Sequence, residues 1–170
     1  ILGYKYKIII KELEKLKVNY SFIHNKHYRS TGSIYSWYTA KNKWKISKKK
    51  ILLIHSDLFF DTKFLFSILN SKHKNIIGIK KFKYSEFERK KIYVSSDKKN
   101  KIVSIGYGEN LKKKKITGQI LCINKLSSKM SNDFFQYCEQ IFSNNKKFKK
   151  FTWEIIMDKF IKERKKKFYI

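Results

Sequence analysis

One uninterrupted apolar run, Ile51-Leu52-Leu53-Ile54-His55, limits the possible folds of this chain more than any other segment. It stands between Lys48–Lys50 and Asp57, with no polar alternation inside it. Such a run suits a central strand covered on both faces, the situation in a parallel sheet wrapped by helices. The neighbouring sequence offers those helices. Asp61-Thr62 reads as the cap of a helix through Asn70. Residues 5–16 carry Ile8, Ile9, Leu13 and Leu16 at helical spacing, an amphipathic face. Ser33–Trp44 reads as a helix capped by the Ser30 and Thr31 hydroxyls.

The remaining segments continue the alternation. Val18–Ile23, Ile76–Ile79, Lys91–Ser95, Lys101–Ile105 and Ile116–Ile123 read as strands, and Asp97–Asn100 as the turn of an inserted antiparallel hairpin. Ser131–Phe142 and Thr152–Glu163 read as helices, divided by a basic loop around Asn144–Lys150. Strand and helix alternating in this way predict an α/β fold, a mostly parallel mixed sheet flanked by helices. At 170 residues the chain fits one domain, 1–170, able to bury roughly 70% of its unfolded surface. It contains no apolar run approaching the roughly 18–20 residues that cross a bilayer, so no membrane partner is expected. No secretory leader is visible, and the default compartment is the cytoplasm.

The formal charge of +28 comes from 38 Lys and three Arg against 13 acidic residues. Specific nucleic-acid readers favour the planar fork of Arg. Lys, Ile, Asn, Phe and Tyr are all abundant and Pro is absent, where average usage gives about eight. That joint skew is the mark of an AT-rich genome. Two readings of the lysines stand: a solvated face, or a functional surface for polyanions. Either one attracts anionic substrates and adheres to nucleic acid without specificity.

Both ends read as cut. Ile1-Leu2-Gly3-Tyr4 resembles the end of a strand followed by a turn glycine, and Phe168-Tyr169-Ile170 begins an apolar strand-like run and stops. The expectation is a domain truncated at both termini.

Asp57 is the sharpest candidate for chemistry. In open α/β sheets ligands sit at the carboxyl ends of strands, and a carboxylate there can hold a divalent cation together with substrate phosphates. Asp57, at the end of the strand, is the candidate ligand; Asp61 is the candidate cap. The second element is Tyr28-Arg29-Ser30-Thr31-Gly32-Ser33-Ile34-Tyr35-Ser36, where a glycine among hydroxyls lets a planar or anionic group approach backbone donors. An ordinary N-cap has the same appearance. His24 and His27 have no third ligand near them in sequence for zinc. His55-Ser56-Asp57 is no triad, because adjacent strand residues point to opposite faces. Cys122 and Cys138 read as reduced core thiols.

The order of these elements carries a resemblance. A Gly3–Leu16 turn and helix, Asn25 with Ser30–Ser36, the strand ending Ser56-Asp57-Leu58-Phe59-Phe60-Asp61, then Thr117-Gly118 opening a strand and Trp153-Glu154 opening a helix resemble the GT-A-type nucleotidyltransferases. These enzymes make nucleotide-activated sugars or phosphocholine, and the phosphocholine cytidylyltransferase-like branch is the nearer match. The resemblance implies a Rossmann-like fold and a reaction. A sugar phosphate or phosphocholine oxygen attacks the α-phosphate of a nucleoside triphosphate, with Mg²⁺ bridging the phosphates, and pyrophosphate leaves. Such chemistry relies on positioning and charge neutralisation.

Carried over by residue, Asp57 is the catalytic Mg²⁺ ligand. Thr31, Gly32 and Ser33 line the nucleotide, with Ser36 in the same element. Gly118 lies under the acceptor, and Glu154 contacts it. Trp153 beside Glu154 suits a quaternary ammonium, held by cation–π contact. The family's glycine-rich triphosphate loop would precede Ile1 and its second metal carboxylate would follow Ile170, so residues 1–170 alone are expected to be inactive. His55 replaces a usual glycine. Gly106-Tyr107-Gly108 stands where sugar-specific members carry Glu-Lys, which turns the expectation away from sugar 1-phosphates. The implied partners are a nucleoside triphosphate and a small phosphorylated acceptor, in precursor synthesis for cell-surface glycans or lipids. Two alternatives remain: a basic nucleic-acid-binding module whose aromatics stack on bases, and a GT-A glycosyltransferase that consumes an activated sugar.

Overall fold

The computed structural model describes residues 1–17, 20–46, 50–111 and 115–170. Its helices are α1 (Tyr6–Glu14), α2 (Ser33–Thr39), α3 (Lys41–Ile46), α4 (Thr62–Asn70), α5 (Ser128–Asn144) and α6 (Trp153–Glu163). Its strands are β1 (Ile51–Ile54), β2 (Ile76–Lys81), β3 (Ile92–Ser96), β4 (Ile102–Tyr107) and β5 (Gly118–Leu126).

The sheet is organised around β5. It pairs antiparallel with β1 and β3 along one edge and with β2 along the other. Because β1 and β2 both run against β5, they run parallel to each other on its two sides. Parallel bridges Leu2↔His24 and Ile76↔Tyr169 extend the same sense. The fold is therefore the mixed, helix-flanked Rossmann-like α/β sheet that the sequence predicts. The ladders among the described residues are each antiparallel, since β5 arrives from the β3–β4 hairpin without a crossover helix. The Asp97 turn closes that hairpin, its carboxylate accepting from Lys99 N at 2.8 Å and Lys101 N at 2.9 Å.

The segment 168–170 lies between β2 and β4. Ile77 N donates to Tyr169 O, and Ile102 N to Phe168 O, both at 2.9 Å. The pairing path β5–β2–Tyr169–β4–β3 thus returns to β5.

Strand alternation sends side chains to two layers. Leu53, Ile77, Ile120 and Leu126 face α2, α5 and α6 in the main core. Leu52, Ile76 and Ile123 face α4 through Ile68, Phe64 and Leu65. Asp61 caps α4, accepting from Lys63 N at 2.8 Å. Ser127 caps α5, accepting from Met130 N at 3.2 Å, so α5 starts three residues before the expected Ser131.

Several expectations shift. Among the described residues β1 pairs only with β5, and Ile54 is 42% exposed. The central position belongs to β5, whose apolar run Ile120–Ile123 is the more deeply placed. The helix expected over Ser33–Trp44 breaks at Ala40 into α2 and α3. The Ser30 and Thr31 hydroxyls do not cap α2; both donate back to His27 O. The start of the Val18–Ile23 strand falls outside the described residues, and 20–23 pair only beside the Leu2↔His24 bridge. Helix α1 forms, but its apolar stripe is uncovered, with Ile8, Ile9 and Leu16 all exposed.

Candidate functional site

The last contact between β1 and β5 falls on Cys122, whose carbonyl accepts from His55 N at 3.2 Å. Cys122 has φ 54, in left-handed space that a side chain rarely occupies. Within a strand this marks a bulge, and the β2 register jumps between Ile77 and Ile79 opposite it. The thiol meets α6, Sγ donating to Glu154 Oε1 at 3.6 Å. Burial, followed by the Glu154 and Asp57 carboxylates, pushes this thiol up to about 12. It is therefore a neutral donor at physiological pH.

Glu154 is only 6% exposed, and its Oε2 has no hydrogen-bond partner. Thr152 Oγ1 and Trp153 Nε1, equally enclosed, also lack a well-formed one, although the indole N–H lies close enough to the Cys122 sulfur to favour its thiolate. Unpaired buried polar atoms are rare in native proteins. Here three occur on consecutive residues at the N-terminus of α6, where the helix dipole favours the Glu154 carboxylate. The remaining two among the described residues are both ends of the Asn124 amide, two residues along β5 from Cys122. Trp153 is fixed by stacking on Trp37, with ring centroids 5.0 Å apart and planes 12° apart. The His55 ring meets its edge at 6.2 Å.

Asp57 follows β1 on an exposed turn, and no hydrogen bond or ion pair among the described residues engages its carboxylate. Asp61, by contrast, is occupied as the α4 cap. No group of three or more His, Cys, Asp or Glu gathers to cage an ion among the described residues. A single free carboxylate fits a hard cation that keeps its water and takes further oxygens from phosphates. Mg²⁺ binds in that manner.

The Thr31–Ser36 element is held differently. Asn25 is 1% exposed and donates from Nδ2 to Thr31 Oγ1 at 3.2 Å and Ser36 Oγ at 3.1 Å. Its Oδ1 accepts from His27 N at 2.9 Å. Ser33 Oγ accepts from Trp153 N at 3.0 Å, which ties the loop to the start of α6. Gly32 N donates to Lys149 O at 2.8 Å. A Cβ on Gly32 would stand 2.1 Å from Phe151 O and 2.5 Å from Lys150 O, so close backbone packing requires this glycine. Gly118 has a similar reason, since its Cβ would meet Ile79 Cδ1 at 2.5 Å and Lys80 O at 2.6 Å.

The structure thus sets Glu154 on Cys122, beside the end of β1 that leads into Asp57, and links Ser33 to the same helix end. Gly118 stands apart, four residues along β5 from Cys122, about 13 Å of extended strand. Nothing in the sequence marks Cys122 as part of this cluster, because the bulge that turns it depends on both neighbouring strands. Asn25 is visible in the sequence beside the hydroxyl element, but its role as the hub appears only when the loop folds.

No family model matches the chain, and no curated protein matches it. Solved structures do share its fold. The inositol-1-phosphate CTP transferase of T. maritima superposes with a TM-score of 0.75 at 18% identity, covering 98% of this chain and 62% of that one. The CTP:phosphocholine cytidylyltransferase LicC of Streptococcus pneumoniae gives 0.60 at 11% identity, over 98% and 64%. HddC from Yersinia pseudotuberculosis, solved with GMP-PN, gives 0.59 at 22% identity, over 99% and 65%. The chain spans less than two thirds of each of these proteins. It has the fold of nucleotidyltransferase-type proteins, and none of its described helices is long and apolar enough to cross a membrane.

Proposed function

We propose that this chain belongs to a nucleotidyltransferase, which moves a nucleotidyl group from a nucleoside triphosphate to the phosphate of a small acceptor. The observation that carries the reading is Glu154, a buried carboxylate with one oxygen lacking a donor, bonded to Cys122 where β5 meets the end of β1 that leads into the free carboxylate Asp57. Both belong to the carboxyl end of β1, where open α/β sheets take their ligands. Two of the structural neighbours are named for inositol 1-phosphate and phosphocholine, both phosphate monoesters of small alcohols. We assign the acceptor to that class, and the setting to the cytoplasm.

In this reaction an acceptor phosphate oxygen bonds to the α-phosphorus, the bond from that phosphorus to the bridging oxygen breaks, and pyrophosphate leaves. The attacking oxygen is already ionised, so no residue need remove a proton. Asp57, with phosphate oxygens, would hold Mg²⁺, which when bound supplies charge neutralisation at the phosphates. On Oε2, Glu154 accepts from an acceptor hydroxyl or faces the charge of a quaternary ammonium, while the Cys122 thiol occupies Oε1 and fixes the carboxylate. Thr31, Ser33 and Ser36 belong to the nucleotide side, anchored to α6 through Ser33.

The test is pyrophosphate release by the protein at its natural length, given a panel of nucleotides and phosphomonoesters at limiting Mg²⁺. The Asp57→Asn change is expected to lower turnover on the order of 10²-fold. Near-normal turnover would remove Asp57 from the metal site. Consumption of an activated sugar without pyrophosphate release would replace the reading with a glycosyltransferase.

A further inference from the structure

The chain carries a second concavity with ligand chemistry, separate from the Cys122 cluster. It measures 250 Å³ and lies between the 24–33 loop and the 3-10 turn Lys146–Lys150. Lys146, Lys149 and Lys150 form one wall, and His27, Ser30 and Thr31 the other. Three other concavities, of 310, 320 and 360 Å³, each include a carboxylate: Asp133, Glu163 and Asp97 respectively. This one has none in its lining.

The lysines are presented by fixed backbone. Asn145 Oδ1 accepts from Lys147 N at 2.9 Å and starts the turn. The bonds Gly32 N to Lys149 O and Ile34 N to Phe151 O then join the turn to the opposite wall. Lys149 Nζ lies 5.3 Å from the centre of the Tyr35 ring, which orients it across the cavity. Among the described residues none of the three ammonium groups has a carboxylate partner. Like charges at this spacing repel, and an anion between them would reverse the sign of that interaction. Lysine ammonium groups are ordinary donors to phosphate oxygens, whereas the Ser30 and Thr31 hydroxyls each give their single hydrogen to His27 O. The volume suits a compact group with many acceptor oxygens. A nucleic-acid strand needs an extended groove and a series of stacking rings, whereas this cavity has one tyrosine.

We propose that the Lys146–Lys150 turn and the His27–Thr31 loop form a binding site for a small polyphosphate anion, either free or as the phosphate chain of a nucleotide. Because Gly32 N–Lys149 O joins its two walls, the bound anion clamps the 24–33 loop against the segment leading into α6.

The test is calorimetric titration of the protein with inorganic tripolyphosphate in EDTA and physiological salt. One anion per chain is expected, with unchanged affinity in Asp57→Asn, so the result does not depend on the proposed metal site, although Thr31 is shared with the nucleotide side of the proposed reaction. The Lys149→Gln/Lys150→Gln pair should weaken binding at least tenfold. Lys98→Gln/Lys99→Gln, an equal charge change at the hairpin turn, should weaken it less than twofold. Equal losses in the two pairs, no loss in the first, or several anions per chain would overturn the site and leave only the diffuse charge of the surface. A nucleoside triphosphate that binds no tighter than tripolyphosphate assigns the site to the phosphate chain alone. Tighter binding that is lost in the Lys149/Lys150 pair assigns it to a nucleotide.

Discussion

The Thr31–Ser36 element and the Thr152–Glu154 segment meet at one hydrogen bond, Ser33 Oγ to Trp153 N, yet they treat their polar atoms in opposite ways. In the first, Asn25, Thr31, Ser33 and Ser36 satisfy one another, His27 and α6. In the second, three enclosed side-chain atoms on consecutive residues lack a well-formed hydrogen bond. Burying a polar group without a hydrogen bond opposes folding, so a fold retains such atoms where a ligand or an ordered water supplies what is missing. The satisfied element acts as architecture, a clasp that fixes the approach to α6. The unsatisfied segment is where ligand chemistry is still required.

Substitution at Gly32 tests the clasp most severely. In Gly32→Ala the new methyl faces two backbone carbonyls, with no flexible side chain to yield. Overpacking of this kind is expected to destabilise the chain by about 3 kcal/mol in urea unfolding. A loss under about 1 kcal/mol would mean that the loop moves freely off residues 149–151, and the comparison would break at its first member.

Removal of the hub should have the next largest effect. Asn25→Ala deletes both donors to Thr31 and Ser36 and the acceptor for His27 N, all within a buried side chain. A cost of about 2 kcal/mol is expected, from buried groups left without partners. Calorimetric melting measures it. An unchanged melting temperature would show that water replaces Asn25 and that the loop is not held from within.

How much of this was legible depended on the range of the interactions involved. Asp61 as a cap and the Asp97 turn rest on contacts within four residues and can be read in order along the chain, whereas the opening of α6 at Thr152–Trp153 is held from Ser33. The break at Ala40 and the start of α5 at Ser128 are shifts of a few residues at element ends. The stripe of α1 is periodic and forms a helix, but periodicity specifies a face and not its cover. β5 was foreseen as a strand ending near Ile123. Asn124 and Lys125 resemble a loop, yet both are buried. Lys125 is tolerated because its Nζ donates to Leu69 O and Ser71 O at the end of α4, some 55 residues away. The Cys122 bulge depends on β1 and β2 together. For the site, Asp57 and Glu154 were legible as candidate residues, whereas the bond of Glu154 to the Cys122 thiol at the end of β1 was not.

The smallest expected effect on stability is also the one with the opposite sign. Glu154→Gln retains an oxygen to accept from Cys122 and removes the charge that a buried carboxylate with one free oxygen must otherwise carry. Stability should stay level or rise, by up to about 1 kcal/mol, while KM for the phosphorylated acceptor rises at least tenfold and that for the nucleotide stays near its original value. The two readings together separate a ligand contact from a structural one, because a carboxylate that served the fold would lose stability on neutralisation. A fall of about 2 kcal/mol in urea unfolding would show that Glu154 serves the fold through partners of its own. The contrast between a satisfied clasp and an expectant helix end would then be lost, whatever became of the acceptor KM.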